Sequence, residues 1–247
     1  MAEILYGRNA VREALRAKRR SLKRLIISSG AQENTVLAEI TKLAESAGVA
    51  VDKVERQTLD KQLRDANHQG VALECGPYPY VEIEDCLKLA ETRGELAFLL
   101  MLDHLQDPQN IGTLLRTAEA VGVHGVIMPG RRAAEITPAV VNASAGATEH
   151  LHVAIVTNLS QTIDQIQKEG VWVVGADEDE RSQMYDKVDM DMPIALVIGA
   201  EGTGLARLTR ERCDFIVKLP MTGQIESLNA AVAGSILLYS AWRARSS

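Results

Sequence analysis

Two uninterrupted apolar runs constrain the fold more than any other feature of the sequence. Residues 96–102 and 194–198 are apolar throughout, which is typical of strands covered on both faces of a parallel sheet. Around them, helical apolar spacing alternates with shorter apolar runs, and this alternation predicts an α/β domain with helices on both faces. The predicted strands are 96–102, 125–128, 152–156, 171–174, 194–198 and 215–219, and the predicted helices are 110–121, 137–144, 160–168 and 227–243.

The first 76 residues have shorter elements and predict a separate, smaller α/β domain. Its expected helices are 9–17, 35–47 and 58–63, and its expected strands are 22–27, 50–54 and 71–74. Pro77 and Pro79 follow, and prolines this close together disfavour both a helix and a central strand. We therefore expect a linker over residues 77–94 and a second domain over residues 95–247, a division that suits a chain of 247 residues.

Composition excludes several classes of protein. Apolar residues make up 46% and charged residues 24% of the chain, as in ordinary globular proteins. No apolar run reaches the roughly 18 residues of a membrane span, and the first residues lack the pattern of a secretory signal. Cys75, Cys86 and Cys213 are scattered and fit neither a disulfide framework nor a zinc site. We expect a protein of the reducing cytoplasm without a metal.

The charge is unevenly distributed along the chain. Residues 1–30 carry a balance of +6, against −12 for the rest. Arg8, Arg12 and Arg16 recur every four residues and predict one exposed helical stripe. Such asymmetry indicates an anionic partner at the N-terminal end. A solvated helix face accounts for the charge equally well.

Three polar loops each follow a predicted strand, at residues 103–112, 199–205 and 219–229. Ligands of parallel sheets bind at the carboxyl ends of strands, so these loops form the candidate site. The first contains Asn110, the expected N-cap of a helix that carries Arg116. The second is glycine-rich, but it is not G-x-G-x-x-G and lacks an acidic residue about 20 positions on, which disfavours a dinucleotide site. In the third, Ser227 is the expected cap of the last helix.

Together, the loops resemble the signature motifs of a known family. N-x-G-x-x-x-R at 110–116, I-G-x-E-G-x-G-L at 198–205 and L-P-M-x-G-x-x-x-S-L-N at 219–229 resemble the three motifs of the SpoU ribose methyltransferases, in their order and spacing. The resemblance covers residues 95–243. In addition, G-R-N-A-V-R-E-A-L at 7–15 resembles the start of the family's N-terminal substrate-binding domain, which is similar to ribosomal protein L30e.

The resemblance implies a fold and a cofactor. The expected fold is a doubly wound parallel sheet whose C-terminal segment forms a trefoil knot, preceded by the small L30e-like domain. The expected cofactor is S-adenosylmethionine, and the residues that correspond to its site are Gly199, Leu219 and Leu228, with Ile198 and Met221 as walls. It also implies a homodimer, for which helices 227–242 and 140–147 are the candidate interface elements.

The resemblance further implies methyl transfer to a ribose 2'-hydroxyl of RNA. It places Arg116 at the hydroxyl, surrounded by Asn110, Glu201, Ser227 and Asn229. Because the pKa of arginine exceeds about 12, two roles stay open: Arg116 removes the proton, or it holds the RNA phosphate and lowers the pKa of the hydroxyl. The expected RNA-binding residues are Arg8, Arg12, Arg16, Arg19, Arg20, Lys23 and Arg24.

The substrate is the least constrained expectation. Among members with this N-terminal domain, the likeness is greatest to enzymes that methylate a guanosine ribose of bacterial 23S rRNA. A tRNA methyltransferase and a noncatalytic RNA-binding or ribosome assembly factor are the alternatives. Arg131 and Arg132 follow a Pro-Gly turn and fit either an RNA contact or a solvated turn.

Overall fold

A computed structural model describes residues 2–64, 66–130, 135–225 and 227–245. The chain divides into two compact units. Unit 1 comprises residues up to 79 together with residues 136–150, and unit 2 comprises residues 80–135 and those from 151 onward. Within the described residues, every helix is too short or too polar to cross a bilayer.

Unit 1 contains a four-stranded sheet of mixed direction. Its strands are β1 (Glu3–Tyr6), β2 (Leu22–Ser28), β3 (Ala50–Val54) and β4 (Val71–Cys75), in the order β1-β4-β2-β3. Strands β2 and β3 are parallel, and β4 is antiparallel to both β1 and β2. Three helices connect the strands: α1 (Arg8–Ala17), α2 (Thr35–Ser46) and α3 (Arg56–Leu63). Strand β1 has no counterpart in the sequence-based prediction.

Unit 2 contains a seven-stranded sheet in which every described pair is parallel. Its strands are β5 (Phe98–Asp103), β6 (Gly125–Pro129), β7 (Val153–Val156), β8 (Trp172–Ala176), β9 (Gln183–Met184), β10 (Ile194–Gly199) and β11 (Phe215–Lys218). Their order is β7-β6-β5-β10-β8-β11-β9. The helices of unit 2 are α4 (Ile83–Arg93), α5 (Pro108–Ala120), α7 (Leu159–Lys168), α8 (Arg207–Arg212) and α9 (Ala230–Arg245). Helix α6 (Pro138–Ala143) belongs to unit 1.

The two apolar runs of the sequence are adjacent central strands, which confirms the predicted parallel sheet. Every residue of β5 and β10 is buried. Helices α4 and α7 cover one face of this sheet. On the other face α9 lies against α5 and β10, where a Cβ on Gly234 would come within 2.7 Å of a methyl of Leu114. A larger residue here would displace the side chains of Leu114 and Ile198, so glycine favours this close approach.

The predicted linker over residues 77–94 is wrong for most of its length. Residues 83–93 form helix α4, which begins with a capping box between Glu82 and Asp85. The spacing of Ile83, Cys86 and Ala90 places one apolar face on the sheet. The two prolines affect only the segment before this helix, so the second unit starts near Tyr80.

A buried ion pair completes unit 1. The side chain of Arg20 is fully buried, and its guanidinium donates to Glu149 at 2.9 Å and to Glu3 at 2.6 Å. Its charged carbon lies 5.0 Å from the ring centroid of Tyr78, whose hydroxyl donates to the carbonyl of Thr148. Burial opposes the charge, but the hydrogen bonds and charge of Glu149 keep the pKa of Arg20 above its usual value.

One expectation about this region is therefore wrong. Arg20 cannot contact RNA, because its charge is enclosed and neutralised by carboxylates of its own unit. The small-residue helix expected at a dimer interface is α6 with the short 3-10 helix Ala147–His150. Val140 and Val141 of this segment are fully buried within the chain, whereas Asn142, Ala143 and Ala145 are partly accessible, so this interface element stays a prediction.

Replacing Glu149 with glutamine should destabilise unit 1. The Glu149→Gln variant leaves the buried guanidinium of Arg20 without its main counter-charge, and breaking such a pair costs about 3–5 kcal/mol. Urea denaturation followed by circular dichroism measures the loss in free energy of unfolding. Asp52→Asn, which breaks the exposed pair with Arg24, is the matched control and should change stability far less. Equal losses in the two variants would contradict the structural role of Arg20.

Candidate active site

The loops that follow four neighbouring strands meet at the carboxyl edge of the unit 2 sheet. Strands β5, β10, β8 and β11 are parallel neighbours, and Gly199 at the end of β10 lies opposite Asp103 at the end of β5. The three polar loops singled out in the sequence follow β5, β10 and β11. The sheet topology therefore brings them to one edge, as predicted from the strand pattern.

The side chain of Asn110 joins all three loops. Its amide nitrogen donates to Oε2 of Glu201 at 3.1 Å, and its amide oxygen accepts from Nδ2 of Asn229 at 2.8 Å. These partners lie 91 and 119 positions further along the chain. Three of the five residues that the resemblance places around the reaction thus form one hydrogen-bonded network.

The helix caps differ from the prediction, and the difference explains how this network forms. Asp107 caps α5 by accepting from the backbone N–H of Asn110 at 3.0 Å, with Pro108 in the first turn. The side chain of Asn110 is therefore not used as a cap. Asn229, and not Ser227, caps α9: its Oδ1 accepts from the N–H groups of Ala231 and Val232 at 3.0 and 3.2 Å.

The loop after β10 turns back sharply on itself. The backbones of Ala200 and Gly204 exchange two hydrogen bonds of 3.0 and 3.1 Å. A Cβ on Gly199 would lie 2.3 Å from the carbonyl carbon of Gly204, and Gly204 itself has a φ of +64°. Both positions require glycine, one for space and one for conformation. The turn exposes Glu201 next to the strand end.

A cavity of about 440 Å³ opens between the loops after β8, β10 and β11. All five predicted cofactor residues line it, as do Glu201 and Ser227. Asp177, Glu178 and Lys218 also line it, and Lys218 pairs with Glu178 at 2.7 Å. The sequence pattern did not identify these three residues, although the acidic run at 177–180, which contains Asp177 and Glu178, begins three positions after the predicted strand 171–174. The five predicted cofactor residues that line the cavity are Ile198, Gly199, Leu219, Met221 and Leu228.

Arg116 lies outside the lining of this cavity. It is exposed on α5, six positions after Asn110, which corresponds to about 9 Å along a helix. Its neighbour Thr117 bonds to Ser235 of α9 at 2.9 Å, so the two helices are fixed to each other beside it. The side chain of Arg116 is accessible to solvent, and its place in the reaction stays a prediction.

The basic stripe of α1 is less exposed than predicted. Arg8 and Arg12 are only partly accessible, and Arg16 is exposed. Glu13 pairs with both Arg12 and Arg16 at 3.0 Å, and Glu39 also pairs with Arg16. Much of the positive charge on this helix is thus balanced within unit 1.

Several basic side chains of this region also contact groups of unit 1 itself. Arg8 donates to the carbonyls of Gln32 and Gln69, and Arg19 donates to that of Pro79. Arg24 pairs with Asp52 and Glu74, whereas Lys23 is exposed. Arg131 and Arg132 lie outside the described residues.

Comparison with protein families matches both parts of the chain. Residues 97–239 match the SpoU rRNA methylase family, and residues 4–81 match the RNA 2'-O ribose methyltransferase substrate-binding domain. YacO of Bacillus subtilis, named as a TrmH family tRNA/rRNA methyltransferase, is 44% identical over 98% of this chain and 96% of its own. A Staphylococcus aureus protein named for the same family is 41% identical over 98% and 96%.

Solved structures share the fold. The SpoU methyltransferase AviRb from Streptomyces viridochromogenes superposes with a TM-score of 0.78 and 26% identity, over 99% of this chain and 90% of that one. An RNA 2'-O ribose methyltransferase gives 0.78 and 25%, over 100% and 90%. The TrmH/SpoU tRNA modifying enzyme of A. aeolicus gives 0.54 and 27%, over only 61% and 75%.

A parallel sheet with a cavity at its carboxyl edge is the arrangement of an α/β ligand-binding domain. With two family models and close relatives along its whole length, this chain belongs to the SpoU rRNA methylase family of RNA methyltransferases. The trefoil knot stays a prediction from the resemblance.

Replacing Asn229 should lower the thermal stability of the protein only when the new side chain cannot cap α9. Asn229→Asp keeps an oxygen for the α9 N-terminus and loses the N–H that donates to Asn110. Asn229→Ala loses both, and loss of a cap costs about 1 kcal/mol. Thermal melts should therefore show a larger decrease for Asn229→Ala, while both variants lose methyl transfer. At Asn158, which caps α7, neither change should affect methyl transfer, and only Asn158→Ala should lower the melting temperature. Full activity of Asn229→Asp would contradict a role for the network.

Proposed function

We propose that this protein transfers a methyl group from S-adenosylmethionine to a ribose 2'-hydroxyl of rRNA, at a guanosine of 23S rRNA. The observation that carries the proposal is the Asn110 network. It joins the three motif loops beside a cavity that all five expected cofactor residues line. Membership of the methyltransferase family supports the class of reaction.

The residues of the cavity fit this cofactor. Backbone without side chains faces the cavity at Gly199, Gly202 and Gly204, and glycine permits close approach of a ligand. Leu219 and Leu228 provide apolar walls for an adenine ring. A volume of about 440 Å³ lies within the range of small-molecule sites. When bound, the cofactor supplies an electrophilic methyl group on a sulfonium.

The protein's own residues orient and activate the hydroxyl. Arg116 is a permanent cation at neutral pH, so we assign it to the RNA phosphate and the attacking hydroxyl, whose pKa a nearby cation lowers. Glu201 stands on the loop after β10 with its carboxylate held by Asn110, where it can accept a proton. Asn110 uses both its donor and its acceptor, which fixes the orientation of its amide.

Unit 1 is the proposed RNA-binding part. Because Arg20 is buried, the remaining candidates for phosphate contacts are Arg8, Arg12, Arg16, Arg19, Lys23 and Arg24. Of these, Arg16 and Lys23 are the most accessible. An RNA phosphate would compete with Glu13 and Glu39 for Arg16, so the gain per contact is smaller than the formal charge implies.

rRNA is favoured over tRNA because of the domain content. The chain has the substrate-binding domain over residues 4–81, whereas the matched tRNA modifying enzyme covers only 61% of the chain. A noncatalytic assembly factor is disfavoured, because Asn110, Glu201 and Asn229 are present and bonded to one another.

Loss of the Arg116 side chain should separate catalysis from cofactor binding. Arg116→Ala should cut methyl transfer to rRNA by about 10²–10³-fold, the range for loss of one group that stabilises developing charge. Affinity for S-adenosylmethionine, measured by calorimetry, should stay unchanged because Arg116 does not line the cavity. Arg93→Ala, an exposed arginine of α4, is the control and should leave both quantities unchanged. Near-normal turnover of Arg116→Ala would overturn the assignment.

We further propose that the protein is a homodimer through α9. Four large apolar side chains of this helix are 39–51% exposed: Val232, Ile236, Tyr239 and Trp242. Their spacing of three to four residues places them on one face, and the rings of Tyr239 and Trp242 meet edge to face at 6.0 Å. Contiguous exposed apolar surface of this kind marks a protein interface, and a second copy of the helix supplies a matching surface.

A charge in the middle of this face should dissociate the dimer. Light scattering should give about twice the chain mass of 26.9 kDa for the unmodified protein and the single mass for Ile236→Glu. Leu208→Glu changes an equally exposed apolar residue on α8 and should leave the dimer intact. A fully active monomer of the unmodified protein would exclude the proposed interface.

A further inference from the structure

Two aspartates bind the base of the loop after β10, which carries Glu201, from opposite sides. The sheet order places β10 between β5 and β8. Asp103 is the last residue of β5 and Asp177 directly follows β8, and each bonds to the backbone at the C-terminal end of the loop. We infer that Asp103 and Asp177 are positioning residues, which fix the loop after β10 so that Glu201 and the cavity wall keep their places. This inference rests on the proposed function and names two residues that the signature motifs leave unassigned.

Asp103 is the last residue of β5 and is fully buried. Its Oδ2 accepts from the backbone N–H of Ala206 at 2.7 Å, and its Oδ1 pairs with Nδ1 of His104. A buried carboxylate is costly unless its oxygens are bonded, and both oxygens of Asp103 are. Asp103 does not line the cavity, so any effect on the reaction passes through the loop.

Asp177 follows the end of β8 and holds the adjacent backbone group. Its Oδ2 accepts from the N–H of Leu205 at 3.1 Å. A Cβ on Gly204 would lie 2.9 Å from Oδ1 of Asp177, which shows how closely the loop is drawn to this carboxylate. Consecutive N–H groups, of Leu205 and Ala206, are thus bound by carboxylates from the two flanking strands.

The two bonds act on a short turn. Residues 200 and 204 are paired backbone to backbone, and β10 fixes the N-terminal side of the turn at Gly199. Apart from the aspartates, the described contacts that hold the C-terminal side are that pairing and the packing of the Leu205 side chain in the core. Glu201 is one residue into the turn, so rotation at the base of the loop displaces the carboxylate that Asn110 binds.

The first measurement is methyl transfer in a double-mutant cycle between Asp103 and Glu201. The substrate is total RNA from a strain lacking the protein, with radiolabelled S-adenosylmethionine. Loss of a hydrogen bond to a charged group predicts that Asp103→Ala lowers the rate about 10- to 100-fold. In the Glu201→Gln background, the same change should cost less than about threefold, because both residues act through one group. Asp103→Asn keeps an acceptor for Ala206 and should restore most of the rate.

The second measurement is hydrogen exchange of the loop, which needs no substrate. Amides of residues 200–206 should exchange faster in Asp103→Ala and in Asp177→Ala. Asp214 makes a similar bond to the N–H of Val173, near the start of β8, so Asp214→Ala is the control and should change neither the loop nor the rate. If Asp103→Ala does not fold, Asp103→Asn replaces it in the cycle and Asp177→Ala is used for hydrogen exchange alone, because Asp177 lines the cavity.

The outcomes separate the two claims. Equal rate losses from Asp103→Ala with and without Glu201, or unchanged exchange of the loop, would overturn the positioning role while leaving the methyltransferase intact. An unmodified protein that binds S-adenosylmethionine and methylates no RNA would overturn the proposed function, and the catalytic part of this inference with it, whatever the exchange of the loop shows.

Discussion

The side-chain amide of Asn110 is the point on which the geometry of the site depends. Its two ends bind groups on two other loops, and neither partner is near it in sequence. An amide can satisfy both partners in only one orientation, because its donor and acceptor are distinct. Glu201 and Asn229 are therefore held in a fixed relation, and Asn229 transmits it to α9 through the helix cap.

This arrangement is possible because the loops stand on a rigid sheet. Strands β5 and β10 are buried along their whole length and lie side by side. Helix α9 approaches β10 closely at Gly234, which brings the N-terminus of α9 to the same edge. Sites built on such packed elements keep their geometry more precisely than sites on free loops. The reactive groups need only short turns to meet.

Local pattern predicted much of the fold and most of the cavity. The apolar runs at 96–102 and 194–198 identified the central strands, and the residues that follow them, such as Gly199 and Leu219, line the cavity. The helical spacing of Ile83, Cys86 and Ala90 also indicates α4, because Pro77 and Pro79 restrict the backbone only near themselves and not at the start of this helix. The caps were misassigned because several polar residues precede each helix and only the tertiary contacts distinguish them.

Long-range partners could not be predicted from the pattern. Arg20 stands in a basic run, and its burial is evident only when Glu149, 129 positions away, is placed beside it. The same holds for Asp103 and Ala206, which are 103 positions apart. Charge along a sequence indicates what a residue can bind, while the fold decides which partner it meets.

The most direct test of the account is a map of 2'-O-methylated nucleotides in rRNA and tRNA, from cells with and without the gene. The account predicts that one ribose methylation at a guanosine of 23S rRNA disappears, and that the unmodified gene restores it while a gene for Arg116→Ala does not. Loss of a methyl group from tRNA alone would contradict the assigned substrate. An unchanged map of both RNAs would contradict the central claim.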